Sequence, residues 1–357
     1  MIDLKTYGYT EIDAVQSGLL PGRVIELRRE RFTVMTERGE VTAVLKGTFY
    51  HGAATRADFP CVGDFVLLYY NESGDSLITT VLPRRSKFSR ADHSGHATGY
   101  TKTVLEQVVA TNFDYVFILS SLNGDFNVSR IMRYLTQARQ SGGQPVIILT
   151  KADLAPDYTL PLSEVTQSIP GVPVHAICSH TAMGLNELNA YFMPGKTIVF
   201  LGMSGVGKSS LLNALMEQNV MKVQAIREVD SRGRHTTTHR QLFMLPSGSM
   251  VIDTPGMREL GLFDADEGLR TSFTDVEAWF TQCRFTDCRH QTEPGCAVLT
   301  AIADGSLSRE RWEHYLAQHH ENRYVQDKTS YLMNKRARSK TLAMYSKNMK
   351  KNGGKKI

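Results

Sequence analysis

Cysteine is scarce in this chain of 357 residues, with five in all: Cys61, Cys178, Cys283, Cys288 and Cys296. That is too few for a disulfide-stapled secreted fold. Three of them crowd beside His290, a pattern that points to a metal rather than to disulfides. Long apolar runs are missing too. None approaches the roughly 18 residues that a membrane span needs, so no membrane partner is expected. The amino terminus, Met1-Ile2-Asp3-Leu4-Lys5, lacks the basic-then-apolar pattern of a signal peptide, and a cytoplasmic location is the expectation. Acidic residues are absent from Lys328 onward, where ten of the 41 Lys and Arg lie, while all 36 Asp and Glu precede it. The body is therefore mildly acidic and the tail strongly basic. Such a tail suits a polyanion, of which nucleic acid is the commonest, or is simply a solvated end.

The length suggests two or three domains. The most informative stretch is Gly202-Met203-Ser204-Gly205-Val206-Gly207-Lys208-Ser209-Ser210. The apolar run Thr197–Leu201 reads as a buried strand before it, and Leu211–Leu215 as a helix start after it. Strand, glycine-rich turn and helix give G-x-x-x-x-G-K-S its meaning as a phosphate-binding loop. Backbone N–H groups and a helix N-terminus face the phosphates. Lys208 reaches the β- and γ-phosphates, and Ser209 supplies a hydroxyl to Mg²⁺.

Upstream, five β-rich runs follow Pro21-Gly22: 22–27, 32–36, 41–45, 64–70 and 76–81. They predict a small closed barrel of the OB type. Arg28, Arg29, Arg31, Lys46, Tyr50 and Arg56 are candidates for cations and a stacking ring on a nucleic-acid face. The alternative is a barrel that serves only as a packing module. The stretch from Arg84 to Tyr100 reads as a basic, then Gly- and His-rich, linker. From about Val104 strands alternate with helices: strand 115–120, helix 128–139, strand 145–150. This is the signature of a parallel α/β sheet.

The last of these strands ends in Thr150-Lys151-Ala152-Asp153. An Asp so placed can accept from the N1–H and N2–H₂ of guanine, while the Lys stem lies along the base. Paired with a P-loop, the motif selects GTP over ATP. A further strand, 172–177, leads to Ser179 and His180, expected to contact the base from its other side. After the P-loop helix, His235-Thr236-Thr237 suits a switch loop that gives a hydroxyl to Mg²⁺ and an N–H to the γ-phosphate. Strand 250–253 ends in Asp253-Thr254-Pro255-Gly256. There Asp253 holds Mg²⁺ through water and the Gly256 N–H meets the γ-phosphate. Near the end, Cys283, Cys288, His290 and Cys296 form C-x₄-C-x-H-x₅-C, a closed tetrahedral donor set suited to one structural zinc ion.

These are the parts of a GTPase in a permuted order, with the guanine motif ahead of the P-loop. The permutation, the preceding barrel and the following Cys/His cluster together resemble the RsgA (YjeQ/EngC) family of ribosome-dependent GTPases, over about Pro21 to His320. The resemblance implies a GTP-hydrolysing factor that binds the small ribosomal subunit and its rRNA and acts late in subunit maturation. A monomer that binds GTP and GDP is expected, and, with Met257 in place of a water-orienting Gln, slow turnover that the subunit stimulates. The rival reading is a GTP-regulated RNA-binding module in which hydrolysis is incidental. A P-loop kinase or ATPase is opposed by Asp153.

Two departures stand out. Thr150 replaces the usual Asn, so the amide that ties the base loop to the P-loop is expected to be lost. Met257 stands where switch GTPases carry a water-orienting Gln, and the resemblance assigns that catalytic role to His235. The expected organisation is an extension over 1–20, an OB-like barrel over 21–98 and a permuted GTPase domain over 99–265. A mainly helical zinc-binding domain over 266–325 and a basic tail over 326–357 follow.

Overall fold

In a computed structural model, all residues are described except 11–17, 29–30, 50–54, 93–104, 124–125, 219–239, 255–261, 264 and 327–357. Strands β1 (Leu20–Arg28), β2 (Arg31–Thr36), β3 (Gly39–Leu45), β4 (Phe65–Tyr69) and β5 (Ser76–Val81) form the barrel. Its order is β1-β2-β3-β5-β4, closed by pairing of β4 with β1, and β3 runs parallel to β5. The alternation of the sequence fills it: Val24, Val34, Ala43, Val66, Leu68 and Ile78 are all fully buried. This is the arrangement that the five short runs predict.

The expected linker is not one. Residues β6 (Lys87–Asp92) form a strand antiparallel to β7 (Leu105–Thr111). Phe88 is fully buried and explains the pairing, because its ring needs a core. Arg84, read as part of a basic connector, is an internal clamp. Its guanidinium holds the fully buried Asp64 at 2.7 Å and reaches the carbonyls of Ala57 and Phe59. His93 and His96 lie outside the described residues.

The second half of the sheet is built from β8 (Tyr115–Ser121), helix α1 (Val128–Gln140), β9 (Gln144–Thr150), helix α2 (Thr159–Ser168), β10 (Val174–Ala176), β11 (Thr197–Leu201), helix α3 (Lys208–Met216), β12 (Gln241–Met244) and β13 (Met250–Asp253). The order is β10-β9-β8-β11-β13-β12, parallel throughout except for the edge strand β12. Buried on both faces, β8, β9 and β11 are continuous apolar runs, as parallel strands are. The edge strand then pairs antiparallel with β1, at Glu26 and Gln241, so barrel and α/β unit share one sheet of eleven strands.

Helix α1 opens on Asn127, whose side chain accepts from the Arg130 N–H, and buries Ile131, Met132 and Leu135. Helices α4 (Asp266–Ser272), α5 (Thr274–Glu277) and α6 (Ala297–Asp304) follow, with a last helix, α7, over 309–326. They enclose a separate small core of Phe273, Val276, Val298, Trp312 and Tyr315. Among the described residues no helix is long and apolar enough to cross a membrane.

Candidate functional site: a nucleotide cradle and a Cys/His cluster

The cradle sits at the carboxyl ends of β11, β13 and β9. Gly202 leaves β11 at φ 153°, and a Cβ there would lie 2.7 Å from the Leu119 carbonyl oxygen. Gly207 caps helix α3 at φ 104°. Both positions therefore require glycine. Lys208 folds back over the loop, its Nζ donating to the carbonyls of Gly202 and Met203 at 2.8 Å each. Burial pushes its ammonium down to about 8, and the nearby Asp253 carboxylate opposes that shift. Ser204 and Gly205 are exposed at the mouth, with Ser209 and Ser210 half-buried in the first turn of α3.

Asp253 ends β13. Burial drives its carboxyl up to about 6 against the pull of Lys208. Both carboxylate oxygens are buried without a well-formed hydrogen bond among the described residues, the neighbouring Thr254 N–H only opposing the upward shift of the carboxyl. A carboxylate in that condition suits a hydrated cation, so the residues present fit Mg²⁺. The neighbouring Thr254 hydroxyl donates to the Phe200 carbonyl at 2.6 Å, locking β13 to the P-loop strand.

The base motif converges on this loop from β9. The Thr150 hydroxyl donates to the Val206 carbonyl at 2.5 Å. The expected loss of the tie between base loop and P-loop is thus corrected: a hydroxyl makes the bond in place of an amide. Lys151 holds a left-handed backbone at φ 59°, which turns the chain so that Ala152 is buried and Asp153 exposed. The Ala152 N–H donates to Ile177 at 3.1 Å, drawing in the loop that carries half-buried Ser179 and exposed His180. His235, Thr236, Thr237, Gly256 and Met257 lie outside the described residues.

The second constellation lies in the C-terminal module. The ligand atoms of Cys283, Cys288, His290 and Cys296 all fall within 4.8 Å of one another. His290 Nδ1 is 3.5 Å from the sulfurs of both Cys283 and Cys296. A tetrahedral ion with Zn–S of about 2.3 Å and Zn–N of about 2.1 Å needs ligand separations of roughly 3.6–3.8 Å, so the set fits. The imidazole stacks on Phe280 at 4.4 Å. Glu293 staples the loop by accepting from the N–H groups of Arg289, Gln291 and Thr292, and these donors, with that of Gln291 foremost, hold its carboxyl down to about 2.

On the barrel, some of the candidate cations already have partners. Arg28 is paired with Glu26 at 2.6 Å and Arg31 with Asp75 at 3.3 Å. Arg29 and Tyr50 lie outside the described residues. Toward the surface, Lys46 lies 4.9 Å from the ring of Tyr69 and Arg38 lies 4.6 Å from that of Tyr70. Sequence reasoning missed both tyrosines, although Tyr69-Tyr70 at the end of an alternating run was a signal for them.

Sequence reasoning also missed Arg23. It is fully buried where the barrel meets the amino ends of β11 and β13. Its guanidinium donates to the carbonyls of Tyr7 (2.6 Å), Asn112 (2.8 Å) and Gly63 (3.3 Å), and to the Thr197 hydroxyl (3.0 Å). The signal was a cation directly before the apolar pair Val24-Ile25, which says that something must satisfy it without saying what.

A P-loop after β11, an aspartate at the end of the neighbouring β13 and the Thr150-Lys151-Ala152-Asp153 motif at the end of β9, two strands away on the other side but earlier in the chain, are the parts of a circularly permuted P-loop GTPase. Comparison with known proteins makes this particular. The family model described as RsgA GTPase matches residues 81–263, and one described as 50S ribosome-binding GTPase matches 197–333. "Small ribosomal subunit biogenesis GTPase RsgA 1" of Listeria innocua is 44% identical over 331 residues, covering 92% of this chain and 91% of that protein. "Small ribosomal subunit biogenesis GTPase RsgA 2" of Lactiplantibacillus plantarum is 43% identical, with 88% of each chain covered. The crystal structure of YjeQ from Thermotoga maritima matches with a TM-score of 0.59 at 27% identity, over 85% of this chain and 98% of that one. The crystal structure of YloQ, titled a circularly permuted GTPase, shares the fold with a TM-score of 0.57. The chain belongs to the RsgA GTPase family and is a GTP-hydrolysing enzyme.

Proposed function

We propose that this protein hydrolyses GTP in late maturation of the small ribosomal subunit, with turnover stimulated by the subunit. One observation carries the placement of the chemistry. The Thr150–Val206 bond joins two motifs 56 residues apart into a single cradle, so one ligand with a guanine at one end and phosphates at the other spans it. In this reading Asp153 accepts from the base, the Lys151 stem covers it, and Ser179 and His180 flank it. Backbone N–H groups from Met203 to Ser210 hold the phosphates, with Lys208 neutralising their charge. Ser209 and Asp253 hold Mg²⁺, which supplies charge neutralisation at the phosphates. Thr236, Thr237 and Gly256 sense the γ-phosphate, and His235 orients the attacking water in the place of the Gln that Met257 lacks.

The Cys283–Cys288–His290–Cys296 set is read as a closed structural zinc site, because four protein donors leave no position for a reacting water. Lys46 with Tyr69, and Arg38 with Tyr70, offer stacking platforms for unpaired rRNA bases, and the basic tail adds salt-sensitive affinity. Barrel, GTPase unit and zinc module are read as three functional units of a cytoplasmic monomer.

The names of the relatives point to the small subunit, and one family description points to the large. The relatives weigh more because they span the chain, whereas that description spans 197–333, without the base motif. The deciding experiment is phosphate release from GTP by the purified protein, titrated separately with small and large subunits. Stimulation by the small subunit alone is expected; stimulation by the large alone, or by neither, overturns the assignment.

A further inference from the structure

The chain that leaves β13 for the C-terminal module is held by side chains. The N–H groups of Leu262 and Ala265 donate to Glu321 Oε1 at 3.1 Å and Asn322 Oδ1 at 2.8 Å, both on α7. Those of Phe263 and Gly268 donate to Gln137 Oε1 at 3.4 Å and Gln140 Oε1 at 2.8 Å, both on α1. The acceptors are themselves fixed. The second Glu321 oxygen pairs with Arg133 of α1. Asn322 Nδ2 donates to Asp266 at 2.6 Å, and Asn322 is 1% exposed. Thr136 of α1 donates to Gln318 of α7 at 2.7 Å. Gly268 sits so close to α1 that a Cβ would lie 2.1 Å from the Thr136 carbonyl oxygen.

Helix α1 has a second contact. Its first turns bring Arg130, Ile131 and Tyr134 to a cavity walled on the other side by Met203, Ser204 and Val206 of the P-loop. Helix α7 therefore grips two things that reach the nucleotide: α1, and the downstream end of the chain whose upstream end is Asp253-Thr254. Thr254 is itself tied to the P-loop strand through Phe200.

We propose that Glu321 and Asn322 are positioning residues for GTP hydrolysis. By accepting the Leu262 and Ala265 N–H groups they fix the exit of the chain that carries Asp253, so the C-terminal helix sets the geometry at the γ-phosphate. Neither residue touches nucleotide. The inference rests on the hydrolytic reading above. A misplacement of about 1 Å remote from the chemistry costs on the order of a hundredfold in rate, and loss of one anchor among several costs less.

The expected result for Glu321→Ala and for Asn322→Ala is a fall in kcat of roughly tenfold. GDP affinity, set by the P-loop and base motif, stays within about twofold. A charge swap, Arg133→Glu with Glu321→Arg, separates positioning from mere stability. It restores the ion pair and the melting temperature but not the acceptor for Leu262, so kcat stays low. Glu321→Gln keeps an acceptor and recovers most of kcat. The inference is overturned if Glu321→Ala turns over like the wild type, if the swap restores kcat, or if GDP affinity falls in step with kcat. Wild-type protein that releases no phosphate from GTP overturns the functional reading and this inference together, whereas active wild type beside an equally active Glu321→Ala overturns this inference alone.

Discussion

The two ends of the parallel sheet each bury a charge, and they treat it in opposite ways. At the amino ends, Arg23 is surrounded by acceptors: three carbonyls, a hydroxyl and the Phe65 ring 5.0 Å away. Burial, with Arg85 adding to it, lowers its pKa to about 9, yet at neutral pH it stays charged and satisfied. At the carboxyl ends, Asp253 is as deeply buried but has neither oxygen satisfied among the described residues. A buried charge with its partners in place is a fastener; one without them is a site. Burial and a shifted pKa do not distinguish the two, but the hydrogen-bond account does.

The largest effect that tests this contrast is at Lys208. Lys208→Ala removes the cation that meets the Gly202 and Met203 carbonyls. Phosphate release is expected to fall by about a thousandfold, with a smaller loss of melting temperature than at Arg23, because Lys208 satisfies two loop carbonyls where Arg23 satisfies three carbonyls and a hydroxyl. A large loss of stability would make Lys208 a fastener like Arg23. The Arg23→Ala variant should behave in the opposite sense. It leaves buried carbonyls without donors, and a loss of about 3 kcal/mol is expected, or several degrees in Tm by calorimetry. Below the melting range its kcat should match the wild type.

Asp253→Asn sharpens the contrast through pH. The folded protein raises this carboxyl from 3.8 to about 6, so between those values the folded state holds a proton that the unfolded state has released. Stability from this group is complete below about pH 4 and is lost as pH rises through 6. The shift corresponds to an upper figure of about 3 kcal/mol. Without nucleotide or Mg²⁺, Asp253→Asn should therefore melt higher than the wild type at pH 7, and the gap should close by pH 4. Calorimetry across that range checks it. A gap independent of pH would mean that the carboxylate has a partner in solution.

What the sequence displayed and what it hid follow the same division. The P-loop, base motif and Cys/His cluster were legible because their chemistry fixes residue types at short spacings, and the parallel strands because burial on both faces makes them uniformly apolar. The contacts that join units were not. Pairing of β1 with β12 spans more than two hundred positions and uses backbone groups that any residue supplies. Lys87–Asp92 looked like linker because its charges stand beside Phe88, and the partner strand that shelters that ring begins at Leu105. The acceptors on α1 and α7 are glutamines, an asparagine and a glutamate, residues that read from sequence as a solvated helix face.

Thr150 carries the smallest expected effect and the finest distinction. From sequence, Thr in place of Asn meant a lost tie; in the fold its hydroxyl reaches Val206 at 2.5 Å and faces Ser120 at 3.4 Å. A neutral hydrogen bond of this kind contributes about 1 kcal/mol, or about fivefold in affinity. Thr150→Val keeps the shape and loses the donor, so GDP and GTP should each bind about fivefold more weakly. Thr150→Ser should restore them, because the hydroxyl rather than the methyl bridges the loops. If Val binds as tightly as Thr, the two motifs are held together by β8, β9 and β11 alone. The hydroxyl then neither fastens the cradle as Arg23 fastens the barrel nor works on the ligand.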